Sequence, residues 1–213
     1  HQKNLLNDNW RINRIFSLQA REGHPIRLFG TGNLSTLKNV TRDVLLDFHK
    51  KYYSANQMKL VLMSKTSVEK MEKWVKSYFA EIPNNQRQEL TYDADVMRGI
   101  TLPRKILVKP VMDLKQLQLA FPTSSYNDYW RTKPAQLITF LLGHEGKGSL
   151  LSLLKKKNLA TSLGAHFDNS SRYMGLFEVA IELTDLGVKH TDQVLSLLFE
   201  YVHLLQEKGL TEE

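Results

Sequence analysis

Cysteine is absent from the chain. Disulfides and thiolate zinc sites are therefore excluded, and a reducing, cytoplasmic compartment is the expectation. No run reaches the roughly 18 apolar residues that mark a membrane span, so no membrane partner is expected. The opening stretch, "HQKNLLNDNWRINR", is polar, so a secretory signal is not expected in it. It also begins without Met, so a piece excised from a longer chain is the expectation. Charge of one sign is not concentrated. Lys and Arg number 29 against 22 Asp and Glu, a net charge of +7, and the one cluster is Lys155–Lys157. No motif interleaves basic with aromatic residues, so nucleic acid is not an expected partner. What remains, 42% hydrophobic and 24% charged over 213 residues, fits one large globular domain or two small ones.

The stretch "LLGHEGKGSLLSLLKKK" (141–157) is the most distinctive. A zinc-peptidase H-E-x-x-H motif places two ligands four apart on one helical face. His144 and Glu145 are followed by Gly146, Lys147 and Gly148, so the second histidine is missing. The inverted H-x-x-E-H also fails, since Lys147 stands three residues after His144. A phosphate loop needs G-x-x-x-x-G-K-[ST]; here Gly143 stands only three residues before Gly146, and glycine follows Lys147. What survives is a Gly-rich turn opening a helix, with Ser149 as N-cap and the lysines near the helix C-terminus. Such a turn is either an ordinary helix–helix connection or an anion-binding helix start.

Periodicity predicts helices over 3–18, 41–53, 67–79, 133–142, 149–157 and 188–207. The helix at 41–53 places Val44, Leu45, Phe48 and Tyr52 at core spacing. The one at 67–79 does the same with Val68, Met71, Val75, Tyr78 and Phe79, behind an imperfect capping box at Ser67. Strands are predicted at 58–64 (buried), 105–109, 115–121, 159–168 and 173–183. Gly and Pro mark 21–33 as a loop, and 82–103 reads as a linker or long connection. The fold class is α+β, with few strands and helices covering one face.

Several stretches together resemble the insulinase family of zinc metallopeptidases, its insulysin and nardilysin branch. They are "KNLLNDNWR" (3–11), "HPIRLFGTGNLSTL" (24–37), "LLDFHKKYYSANQMKLVL" (45–62), "KPVMDLKQLQLAFP" (109–122), "LLGHEGKGSLLSLLKKKNLA" (141–160) and "ELTDLG" (182–187). The resemblance implies insulinase-type domains with antiparallel-rich sheets, enclosing a chamber in which peptides are cut. It implies that residues 1–85 are the C-terminal half of a first domain, 86–100 a linker, and 101–213 the N-terminal part of a second. The parent would hold zinc through H-x-x-E-H and a downstream Glu. This chain would start one residue after that Glu, with His1 no ligand, and would bind no zinc and supply no catalytic residue.

By the same resemblance, the turn and the strand after it form an exosite that anchors the N-terminal part of a peptide substrate. Its residues are Gly143, His144, Glu145, Gly146, Gly148, Leu163, Gly164 and Ala165. Glycines permit close backbone approach, and an exposed edge strand can pair with an extended peptide. Ala165 and His166 stand where the family commonly has glycines. Trp10 matches a cleft-lining tryptophan, with a core position as its alternative. His144 is an exosite contact or a helix cap; His24, His49, His190 and His203 read as structural. The partners implied are peptides, with association between copies through an exposed sheet edge a further option. The function implied is part of a zinc metalloendopeptidase; the alternative is a non-catalytic peptide-binding or scaffolding relative.

Overall fold

The computed structural model describes all residues except 1, 94, 170, 172 and 210–213, so His1 lies outside the described residues. The chain forms two compact units, His1–Phe29 with Asp93–Glu213, and Gly30–Tyr92.

The larger unit is built on three antiparallel strands: β1 (Gln116–Thr123), β2 (Ala160–Asp168) and β3 (Gly175–Leu183), in the order β1-β3-β2. In the ladders, Leu117 and Leu163 both oppose Ile181, Leu119 and Ala165 oppose Val179, and Phe121 and Phe167 oppose Phe177. Side chains alternate between faces, so this apolar set shares one face. The other face carries Gln116, Gln118, Gly164, His166, Glu178 and Glu182 and is polar.

Helices cover the apolar face. They are α6 (Leu150–Lys156) and α8 (Thr191–Lys208), preceded by the single turn α7 (Asp185–Lys189). Leu150, Leu151 and Leu154 of α6 and Val194 and Leu198 of α8 join Leu163, Val179 and Ile181 in the buried core. Their spacing of three and four residues is the helical period that brings side chains onto one stripe. A fully buried Leu of this kind contributes about 2 kcal/mol. Ser149 caps α6 by accepting from Ser152 N–H at 3.1 Å, as its sequence position predicts. The fold class is α+β with helices on one face of an antiparallel sheet. The strands predicted at 115–121, 159–168 and 173–183 and the helices at 133–142, 149–157 and 188–207 form with small shifts at their ends.

The helix predicted at 3–18 divides into a 3-10 turn (Gln2–Leu6) and α1 (Asp8–Gln19), because Asn7 caps the second piece through Trp10 N–H. Asp8 ties α1 to the segment entering the sheet. Its carboxylate accepts from Val111 and Met112 N–H at 3.0 Å and from Arg11 at 2.6 Å. His24 is a buried loop residue whose Nδ1 accepts from Ile26 N–H at 3.2 Å. No strand forms at 105–109: nothing among the described residues pairs with it. Val96, inside the predicted connection, is buried and its carbonyl accepts from Arg21 N–H at 2.9 Å.

The smaller unit holds α2 (Leu34–Leu37), α3 (Arg42–Tyr52) and α4 (Val68–Phe79). Both longer helices form as predicted, but their apolar faces stay open: Leu45 is 60% exposed and Tyr78 75%. The buried strand predicted at 58–64 is absent, with Val61 89% and Met63 94% exposed. A strand persists only where a neighbour pairs its backbone, and among the described residues none lies beside it. Lacking that sheet, α3 and α4 have nothing to bury their stripes against. Ser67 heads α4 without a capping hydrogen bond; its hydroxyl serves Glu69 instead. Order in this unit comes from buried Ser54, which accepts from Asn85 N–H at 2.8 Å, and from Asn56 and Gln57, which both donate to Arg87 O.

The N–H groups of Met112 and Val111, with Arg11, hold the Asp8 carboxyl below its usual range. A carboxylate with a depressed folded pKa stabilises fully above its unfolded pKa of roughly 3.9, and the gain is lost as pH falls through the folded value. Asp8→Asn is expected to lower Tm at neutral pH by a few degrees. Thermal melts across the acid range should show that difference shrinking below roughly pH 4; a gap unchanged by pH would contradict the role of the ionised carboxylate.

Candidate functional site

The turn at 143–149 begins as the C-cap of α5 (Pro134–Leu142), where Gly143 N–H donates to Thr139 O at 2.9 Å. A Cβ on Gly143 would stand 2.9 Å from Thr139 O and 3.6 Å from Ala165 N. The missing side chain lets the end of α5 sit against β2. Gly146 is small for another reason: a Cβ there would meet His144 Nε2 at 2.6 Å, because the imidazole folds back over it. Gly148, at φ +88, takes the left-handed conformation that reverses the chain into α6. His144 and Glu145 are exposed. Gly143 provides the cap, and His144 lies against Phe140 with ring centroids 6.1 Å apart.

The direction of the β2 backbone groups follows from two hydrogen bonds on β3. Leu183 N–H donates to Lys115 O, on the β1 side, and Thr184 N–H donates to Leu159 O, on the β2 side. In an antiparallel ladder the residues alternate between facing one neighbour and facing the other. Glu182, Ala180, Glu178 and Leu176 therefore spend their backbone groups on Ser162, Gly164, His166 and Asp168. It follows that Leu163, Ala165 and Phe167 turn their N–H and C=O groups outward, to an edge with no neighbouring strand among the described residues. Leu163 offers backbone alone, since its side chain is buried in the core. Gly164 is the reverse: its backbone is used in the ladder, and the space where a Cβ would stand is open. The outer edge of β1 differs, because Pro122 has no N–H and falls in its outward register.

Beside the outer edge of β2 lies a slot of about 450 Å³, between that edge and the first half of α5. Ala165, His166 and Phe167 form one wall, and Gln136 and Thr139 belong to the other. Its far end is aromatic, with Tyr126, Tyr129 and Trp130. The Tyr126 ring stands edge-on to Phe167 at 5.3 Å between centroids. Asn169 holds that end to β2 by accepting from Tyr126 N–H at 2.9 Å and donating to Asn127. On the polar face, burial raises the Glu178 carboxyl above its usual range, opposed by His166 across the strand and reinforced by Asp168.

Of the residues singled out in the sequence, the structure brings together Gly143 and Ala165 and aligns Leu163 with Ala165 along one edge. His144, Glu145, Gly146 and Gly148 shape the turn and do not line the slot. Trp10 is half exposed, so the core position is not its place. Sequence reasoning missed Tyr126, Tyr129, Trp130 and Lys133. The cluster "YNDYW" (126–130) was the available signal: aromatics crowded into a short polar connection. Among the described residues, no group of three or more His, Asp or Glu side chains could hold a metal ion. That donor set does not fit a zinc centre.

Residues 39–213 match a family model described as the peptidase M16 inactive domain. Over 213 residues the chain is 37% identical to the A-factor-processing enzyme of Saccharomyces cerevisiae, covering 97% of this chain and 21% of that protein. It is 33% identical over 216 residues to the insulin-degrading enzyme of Drosophila melanogaster, covering 98% and 22%. A solved structure, that of pitrilysin, superposes with a TM-score of 0.78 at 30% identity, over 96% of this chain and 22% of its own. The chain thus spans about a fifth of the length of the curated relatives it matches.

Two glycines of the site should respond oppositely to substitution. Gly143→Ala places a methyl against Thr139 O and is expected to cost on the order of 1–3 kcal/mol. Gly164→Ala enters open space and should change stability by less than about 0.5 kcal/mol. Urea unfolding of the two variants measures both, and equal losses would contradict the packing of α5 against β2.

Proposed function

The chain belongs to the peptidase M16 family, and on that premise we propose that it is the peptide-anchoring part of a zinc metalloendopeptidase, without catalytic machinery of its own. The names of its relatives concern peptide processing and degradation, which supports peptides as the substrate class. The observation that carries the reading is the outward set of backbone groups at Leu163, Ala165 and Phe167, beside a slot of about 450 Å³. A peptide there adds a strand to the sheet: main-chain hydrogen bonds supply affinity, and the slot receives alternate side chains. Gly143 and Gly164 keep the approach low, and Glu145 on the neighbouring turn is the group assigned to a peptide amine. Trp10 lines the cleft of the parent. In the same proposal residues 1–85 end one insulinase-type domain, 86–100 connect, and 101–213 begin the next, in a cytoplasmic protein. Association of two copies through the open edge would compete with peptide. When bound in the parent, zinc activates the attacking water; this chain contributes substrate position.

Strand addition has a period of two, and backbone methylation tests it. Peptides carrying a single N-methyl group at successive positions are titrated against the chain by fluorescence anisotropy. Binding should weaken by about tenfold or more at every second position, the loss of one backbone hydrogen bond and its space. Indifference to the position of the methyl group would defeat edge pairing.

The absence of catalysis is testable on its own. The purified chain is expected to hold far less than one equivalent of zinc and to leave a quenched fluorescent peptide uncut. Stoichiometric zinc with chelator-sensitive cleavage would place a catalytic centre in this chain.

A further inference from the structure

The slot beside β2 is not electrically neutral. Lys133 lines it, and no carboxylate does among the described residues. Asp128 and Asp168 are close in sequence but stand outside the lining. Arg131 adds a further positive group at the rim, its guanidinium 4.7 Å from the centre of the Trp130 ring. Three aromatic rings, Tyr126, Tyr129 and Trp130, form the end of the slot, and Tyr129 and Trp130 are more than half exposed. Exposed aromatics at the end of a cleft are surface that a bound ring can cover. Lys133 is held in place by the backbone: it sits at φ 45 as the cap of α5, and its N–H donates to Tyr129 O at 2.8 Å. The backbone of Lys133 is therefore fixed to the aromatic turn, and its exposed side chain extends from there.

We infer that this slot is a selectivity pocket, which takes an aromatic side chain from an acidic segment of the peptide lying along β2. The inference rests on the edge-pairing reading and adds to it which sequences are held. Pairing at Ala165 and Phe167 puts alternate side chains of the bound strand over the slot. An aromatic ring there stacks against Trp130 and Tyr129. A neighbouring Asp or Glu of the peptide faces Lys133 and Arg131, while a lysine in its place meets like charge.

The test uses the 213-residue chain and a pair of fluorescent peptides. One carries Phe flanked by Glu; its counterpart carries Ala flanked by Lys at the same positions. The acidic aromatic peptide should bind roughly tenfold tighter, with the charge-dependent part of that preference fading as salt is raised. Trp130→Ala should remove the preference for Phe, and Lys133→Glu should invert the preference for Glu over Lys. Both side chains are exposed, and matching thermal melts verify that the variants are folded; Tyr129→Ala serves as a second probe of the aromatic end. Peptides that bind with the alternating N-methyl pattern but whose preferences survive all three substitutions would overturn the pocket and leave edge pairing standing. Loss of the alternating pattern itself would overturn edge pairing, and the pocket with it.

Discussion

The central strand β3 is the constraint on which the larger unit depends. It pairs on both sides, with β1 from Gly175 to Glu182 and with β2 from Leu176 to Leu183. Its inward residues Val179 and Ile181 are almost fully buried, and α6 and α8 are seated on them. With β3 in the middle and no fourth strand among the described residues, β1 and β2 are both edges. Pro122 blunts the first. The second is left with outward N–H and C=O groups at Leu163, Ala165 and Phe167.

The Gly-rich turn has a subtler part than its residue types suggest. Gly143 lets α5 end against Ala165, Gly146 makes room for the His144 ring, and Gly148 reverses the chain into α6. Of the three, Gly143 is the one set against β2, where a Cβ would stand 3.6 Å from Ala165 N. The residues that give the slot its chemical character come from elsewhere, from the aromatic connection after β1 and from Lys133 at the start of α5.

The smaller unit presents the opposite case. Its helices carry the amphipathic pattern of a packed domain, yet α3 and α4 leave that pattern open to solvent. Periodicity records the surface a helix is built to bury, and whether a partner surface is present is a separate matter. The stretch at 58–64 follows the same logic: an apolar, β-prone run without a neighbouring strand remains extended and unpaired.

How far the molecule was legible in its sequence depends on the range of the interactions involved. The three strands, the helices α5, α6 and α8 and the Ser149 cap could be read directly, because periods of two and 3.6 residues and capping hydrogen bonds are local. The exclusion of zincin and phosphate-loop chemistry at 141–157 was equally secure, since those motifs are matters of spacing. The strand order, the outward register of Leu163, Ala165 and Phe167, and the meeting of Tyr126 with Phe167 were decided by the tertiary structure alone. Each depends on contacts between residues far apart in the chain. A single-residue shift in pairing would exchange inward for outward along the whole edge, and the local sequence of β2 would read the same.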